Sequence, residues 1–112
     1  MNDIPERDWK YLRSIYDEML NELSLRINQE VLKTITRNGM SENDKRLKVF
    51  DIVMKRDRIV GDCFNDWRRS KIFERCWALR KHGLLKAEHM AKLDPITQLW
   101  IDPPPMPSKK MD

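Results

Sequence analysis

The sequence predicts an all-α protein: a long N-terminal helix in an extended helical hairpin, followed by a small helical C-terminal head. Three observations predict it. Apolar residues recur at three- and four-residue spacing from Trp9 to Ile35. Only 3 of the 112 residues are glycine, too few for the many turns of a β-sandwich. Charged residues make up 36%, which suits solvated helix faces, and no run alternates apolar with polar residues as a strand would.

The first helix is expected from Pro5 to Arg37. Pro5 fits a first-turn position, and Asp3, Glu6 and Asp8 place negative charge near the positive end of the helix dipole. Trp9, Leu12, Tyr16, Met19, Leu23, Ile27, Val31 and Ile35 form one stripe. Asn38-Gly39 ends it, glycine accepting the left-handed conformation after a helix. Such a helix is roughly 50 Å long, whereas a compact chain of this length has a radius of gyration near 13 Å. The hairpin must therefore be extended, docked on a second copy, or both, and a homodimer is expected.

The second helix starts at Ser41, with Asp44 three residues on as in a capping box. Leu47, Phe50, Val53 or Met54, and Ile59 or Val60 carry it to about Cys63, with a kink or a continuation at Gly61. Asn65 or Asp66 is the expected cap of a third helix, Trp67 to His82, which Gly83 stops. A short helix over Lys86 to Leu93 follows. Asp94-Pro95 then reads as cap and first residue of a last turn through Trp100. Residues 1–101 thus form one helical domain, and 102–112 (DPPPMPSKKMD) a proline-rich tail expected to fray.

Composition narrows the function classes. No apolar run approaches the length that spans a bilayer, and MNDIPERDWK has neither the basic start nor the apolar core of a signal peptide. A cytoplasmic protein without membrane contact is expected, with Cys63 and Cys76 as free, buried thiols. The formal charge is +4, unevenly placed: residues 1–37 carry six basic against seven acidic side chains, residues 67–82 six against one. A local basic surface suggests an acidic partner, protein or nucleic acid.

Chemistry-bearing residues gather between Phe64 and Met90. On a helical wheel Ile72, Cys76 and Leu79 form an apolar stripe, widened by Phe73 and Trp77. Arg69 and Arg80 fall inside that arc. There an arginine lays its stem on apolar surface, meets a carboxylate of another helix, or faces a partner. Trp67 falls opposite the stripe and is a candidate anchor. Arg68, Lys71 and Arg75 line a separate basic stripe, the candidate phosphate-contacting set if the partner is DNA or RNA. Glu74 interrupts that stripe and no recognition motif surrounds it.

Cys63, Cys76, His82 and His89 are 13, 6 and 7 positions apart, unlike paired zinc ligands at two to five, so no metal is expected. Neither histidine has a nucleophile or carboxylate at fixed local spacing. There is no glycine-rich phosphate loop and no strand-to-helix serine elbow. No catalytic residue is assigned and no cofactor is expected. An enzyme would need a site assembled from distant residues, for example at a dimer interface.

The stretches Arg68-Arg69-Ser70-Lys71-Ile72 and Leu79-Arg80-Lys81-His82-Gly83-Leu84-Leu85-Lys86-Ala87-Glu88, together with the order of elements, resemble the cyanobacterial fluorescence recovery protein family. The resemblance spans roughly Trp9 to Leu93, with its last third matched residue by residue. It implies an all-helical, dimeric, cofactor-free protein that binds a carotenoid-binding protein and accelerates its return to the resting state. The family's partner-binding helix carries a tryptophan, a His-Asp pair and a downstream arginine. Here Asp51 matches in one register and Arg58 in a register one residue different, while the tryptophan and histidine have no counterpart. Phe73 corresponds, with a one-residue shift, to an aromatic residue of the family's third helix.

The expected function is non-enzymatic protein binding or regulation, with a partner the sequence does not name. Trp67, Arg69, Phe73 and Arg80 are the candidate contact residues on one surface, Asp51 and Arg58 on a second. Nucleic-acid binding through Arg68, Lys71 and Arg75 is the alternative.

Overall fold

A computed structural model describes residues 3–105. Every regular element among them is helical: α1 (Glu6–Ser14), α2 (Tyr16–Ile35), α3 (Glu42–Phe64), α4 (Ile72–Lys81), α5 (Ala87–Met90) and α6 (Pro95–Ile101), with a 3-10 turn at Arg69–Lys71 before α4. None of the helices among these residues is long and apolar enough to cross a membrane.

α2 and α3 lie side by side as the hairpin. The turn between them uses Gly39 at φ 83°, and Ser41 caps α3 by accepting the Asp44 amide at 3.0 Å, both as the sequence indicates. α3 runs through Gly61 without ending and stops at Phe64. The hairpin is extended: the radius of gyration is 18.1 Å and the longest axis 52 Å, against about 13 Å for a compact domain of this length.

Two expectations are corrected. The first helix is not continuous from Pro5 to Arg37; it is offset at Ile15, whose φ and ψ are −104° and 6°. The Ile15 amide is shared between the Tyr11 and Leu12 carbonyls at 3.2 and 3.3 Å, and the Ser14 hydroxyl donates to the same Tyr11 carbonyl at 2.6 Å. A serine that bonds back into the preceding turn competes with the ladder and bends it. The third helix does not begin at Trp67. Asp66 takes a left-handed φ of 53° and Arg68 is extended, so regular helix starts only at Ile72. Trp67, Arg68 and Arg69 therefore lie off the α4 wheel, and their side chains are placed by the turn before it.

The core sits at the head end of the hairpin. Leu12, Ile15 and Met19 from the first arm meet Cys63 and Phe64 of α3, Ile72, Cys76 and Leu79 of α4, and Leu84, Leu85 and Ile101 beyond it. α4 ends in a Schellman turn: Gly83 has φ 68°, its amide donates to the Arg80 carbonyl at 3.0 Å, and the Leu84 amide to Leu79 at 2.8 Å. Arg26 of α2 reaches across to donate to the His82 and Gly83 carbonyls at 2.7 and 3.2 Å, tying hairpin to head. α6 starts as expected, with Pro95 in its first turn and the Asp94 side chain accepting the Ile96 amide at 3.0 Å. The expected tail lies outside the described residues from position 106 onward.

Candidate functional site

The predicted residues separate into two groups: those held inside the chain and those left at the surface. Arg69 is held. It donates to Glu6 Oε1 and to the Ile4 carbonyl, both at 2.6 Å, and so pins the start of α1 to the turn before α4. Arg80 is held too, donating to the Leu85 carbonyl at 2.8 Å and to Asp102 at 2.9 Å. Each guanidinium divides its donors between one backbone carbonyl and one carboxylate.

Trp67 is half-buried in an aromatic cluster. It makes an edge contact with Tyr16 at 4.8 Å between centroids and stacks near Phe64 and Trp9 at 6.1 and 6.5 Å. Phe73 is half-buried beside Trp100, 6.1 Å away. On the hairpin, Asp51 pairs with Lys55 at 3.1 Å, and Arg58 is exposed.

The residues of the basic stripe do not form a bare cationic row. Arg68 lies 2.5 Å from Asp66 and Lys71 3.9 Å from Glu74. Arg75 donates to the Asp62 carbonyl at 2.7 Å and to Gly61 at 3.3 Å, closing the end of α3. The Arg68 contact holds the Asp66 carboxyl below its usual range. Much of the charge that would meet phosphate is thus already balanced within the chain.

The two thiols lie fully buried. Burial pushes Cys63 up to about 11, helped by Asp62, and Cys76 up to about 12. A thiol is nucleophilic only as thiolate. Neither cysteine is therefore expected to react with a thiol-labelling disulfide reagent at pH 8 in the native protein, and both should react on unfolding. Labelling of one native thiol at the rate of a free cysteine would contradict that burial. Among the described residues no three histidine, cysteine, aspartate or glutamate side chains gather as a metal cluster.

His89 has a structural role that the sequence did not disclose. It is buried, its Nδ1 accepts the Lys86 amide at 2.9 Å, and its Nε2 donates to Glu18 at 2.9 Å. That one tautomer starts α5 and binds it to α2.

Among charged residues such as Glu74, Lys81, Lys86 and Lys92, the head also exposes an apolar patch. Trp77 of α4 and Ile96, Leu99 and Trp100 of α6 are 49%, 64%, 55% and 46% exposed. They are contiguous: the Trp77 indole N–H donates to the Trp100 carbonyl at 3.0 Å. Grooves flank α6 on either side. One, of about 390 Å³, lies between Phe73, Ile96 and Trp100; the other, of about 540 Å³, between Arg80, Met90 and Leu99. The signal was present in the sequence, since α6 places Thr97 and Ile101 inside and three large apolar residues outside. A seven-residue helix is too short for periodicity alone to show which face is free.

No protein-family model, curated protein or solved structure matches the chain.

Proposed function

We propose that this chain is a non-enzymatic protein-binding module whose contact surface is the apolar patch of α4 and α6. The observation that carries the reading is the exposure of two tryptophans, an isoleucine and a leucine on one contiguous part of the head. Exposing so much large apolar surface costs solubility, and contiguous patches of that kind serve as contact sites. Tryptophan supplies much of the binding energy where it enters a partner's pocket. The partner that fits presents apolar side chains to the ridge of Ile96, Leu99 and Trp100, and sends others into the grooves beside it. The resemblance to the fluorescence recovery protein family would imply a contact on α3 instead.

Affinity capture from native extract, followed by titration of the purified prey, tests the proposal. Leu99→Asp is expected to weaken binding at least about 100-fold, because it puts a charge at the centre of a desolvated contact. Leu25→Asp, a similarly exposed leucine on the hairpin, should leave binding within about twofold. Equal binding by Leu99→Asp and the unsubstituted chain, with unchanged circular dichroism, would overturn the assignment of the surface.

A further inference from the structure

α3 is apolar on two opposite faces. Ile52 and Cys63 are buried and Ile59 is half-buried, on the face that packs toward α2 and the core. On the reverse side Leu47, Phe50 and Met54 follow one another at three- and four-residue spacing, 50%, 64% and 56% exposed. A helix with one packed face and a second continuous apolar stripe has room for a second helical neighbour. On α2 the exposed apolar residues are Leu25, Leu32 and Ile35; Asn28 and Gln29 interrupt the row, and Leu32 and Ile35 sit at the turn end of the helix.

The charges beside the α3 stripe indicate what covers it. Asp51, Lys55 and Arg56 have counter-ions within the chain. Asp44, Arg46, Asp57 and Arg58 have no charged partner among the described residues. Arg46 and Asp57 are 11 positions apart, about three turns, and so share one flank of the stripe. Asp44 and Arg58 are 14 positions apart, about four turns, and share the other flank. The midpoints of Arg46 and Asp57 (51.5), of Asp44 and Arg58 (51) and of Phe50 and Met54 (52) agree to within one residue.

We infer that the outer face of α3 pairs antiparallel with α3 of a second copy, about a two-fold axis at residues 51–52. Under that axis each flank meets itself in reverse. Arg46 comes opposite the second copy's Asp57, Asp44 opposite its Arg58, and Phe50 opposite its Met54. A two-fold contact requires this kind of self-complementarity. Asp51 lies near the axis, close to its own symmetry copy, and Lys55 at 3.1 Å already balances it. The pairing leaves the α4 and α6 patch free, so it stands independently of the proposed function.

Sedimentation equilibrium of the full chain over about 1–100 μM is the test. Twice the chain mass is expected at the upper end. Phe50→Glu should weaken self-association at least about 100-fold with unchanged helical circular dichroism, and Leu32→Glu should not change it. Arg46→Asp should weaken it about 5- to 10-fold, and Arg46→Asp with Asp57→Arg should restore it, since each flank again carries opposite charges. A chain that stays monomeric throughout the range would overturn the pairing. So would dissociation by Leu32→Glu but not by Phe50→Glu, which would place the contact on α2. Failure of the double charge exchange to restore association would overturn the antiparallel register.

Discussion

Replacing Leu79 with alanine is expected to lower the unfolding free energy by about 3–4 kcal/mol. Leu79 is fully buried in α4, among side chains from both arms of the hairpin and from the head. Its carbonyl also accepts the Leu84 amide at 2.8 Å and the Leu85 amide at 3.2 Å, so the chain beyond α4 folds back directly over it. Truncation removes the transfer energy of the lost methyl groups and leaves a cavity. The cavity lies where α4, Leu84 and Leu85 are fixed by backbone bonds and cannot collapse freely. Urea unfolding followed at 222 nm measures the loss. A change below about 1 kcal/mol would mean that the head is loosely packed.

Replacing Asp8 with alanine is expected to cost about 2–4 kcal/mol, a large effect for one side chain on a 9-residue helix. Asp8 is completely buried. Its carboxylate accepts the Thr97 hydroxyl at 2.6 Å and the Asp94 amide at 3.2 Å from each oxygen. It therefore joins α1 to the start of α6, 86 positions along the chain. Removing it leaves a buried hydroxyl and an amide without an acceptor, and frees the end of the head that carries Ile96, Leu99 and Trp100. Thr97→Val removes one donor while keeping the shape. A double-mutant cycle between the two should give a coupling of at least about 1 kcal/mol. Additive effects would show that the hydrogen bond contributes little.

These two residues differ in how readable they were. Leu79 follows from spacing alone: with Ile72 and Cys76 it marks one side of a helix, and the structure buries all three. The caps at Ser41, Asp94 and Gly83 were legible for the same reason, because each depends on residues within five positions of it. Asp8 was not. Its place near a helix start gives a sufficient local account as a dipole partner, and only the arrival of α6 shows what the carboxylate does. His89 is the same case, with Glu18 71 positions away.

A single backbone angle separates the expected from the observed start of α4. The sequence offers Asn65 and Asp66 as helix caps, and both residue types also enter the left-handed region readily. Asp66 does the latter, and the helix begins five positions later than expected. That shift takes Trp67, Arg68 and Arg69 off the helix and its wheel. Trp67 then fills the aromatic cluster with Tyr16 and Phe64, and Arg69 reaches Glu6. The exposed patch was hidden for a different reason. Trp77 and Trp100 are ordinary core candidates by type, and surface area on a short helix depends on what packs over it.

Hydroxyl-radical footprinting of the chain alone and in complex with its captured partner tests the head patch directly. The side chains of Trp77, Ile96, Leu99 and Trp100 are expected to lose most of their reactivity in the complex, by about tenfold for Leu99 at the centre, while Leu25 stays unchanged. Protection confined to Arg68, Lys71 and Arg75, or no protection on α6, would contradict the assignment of the head patch as the binding surface.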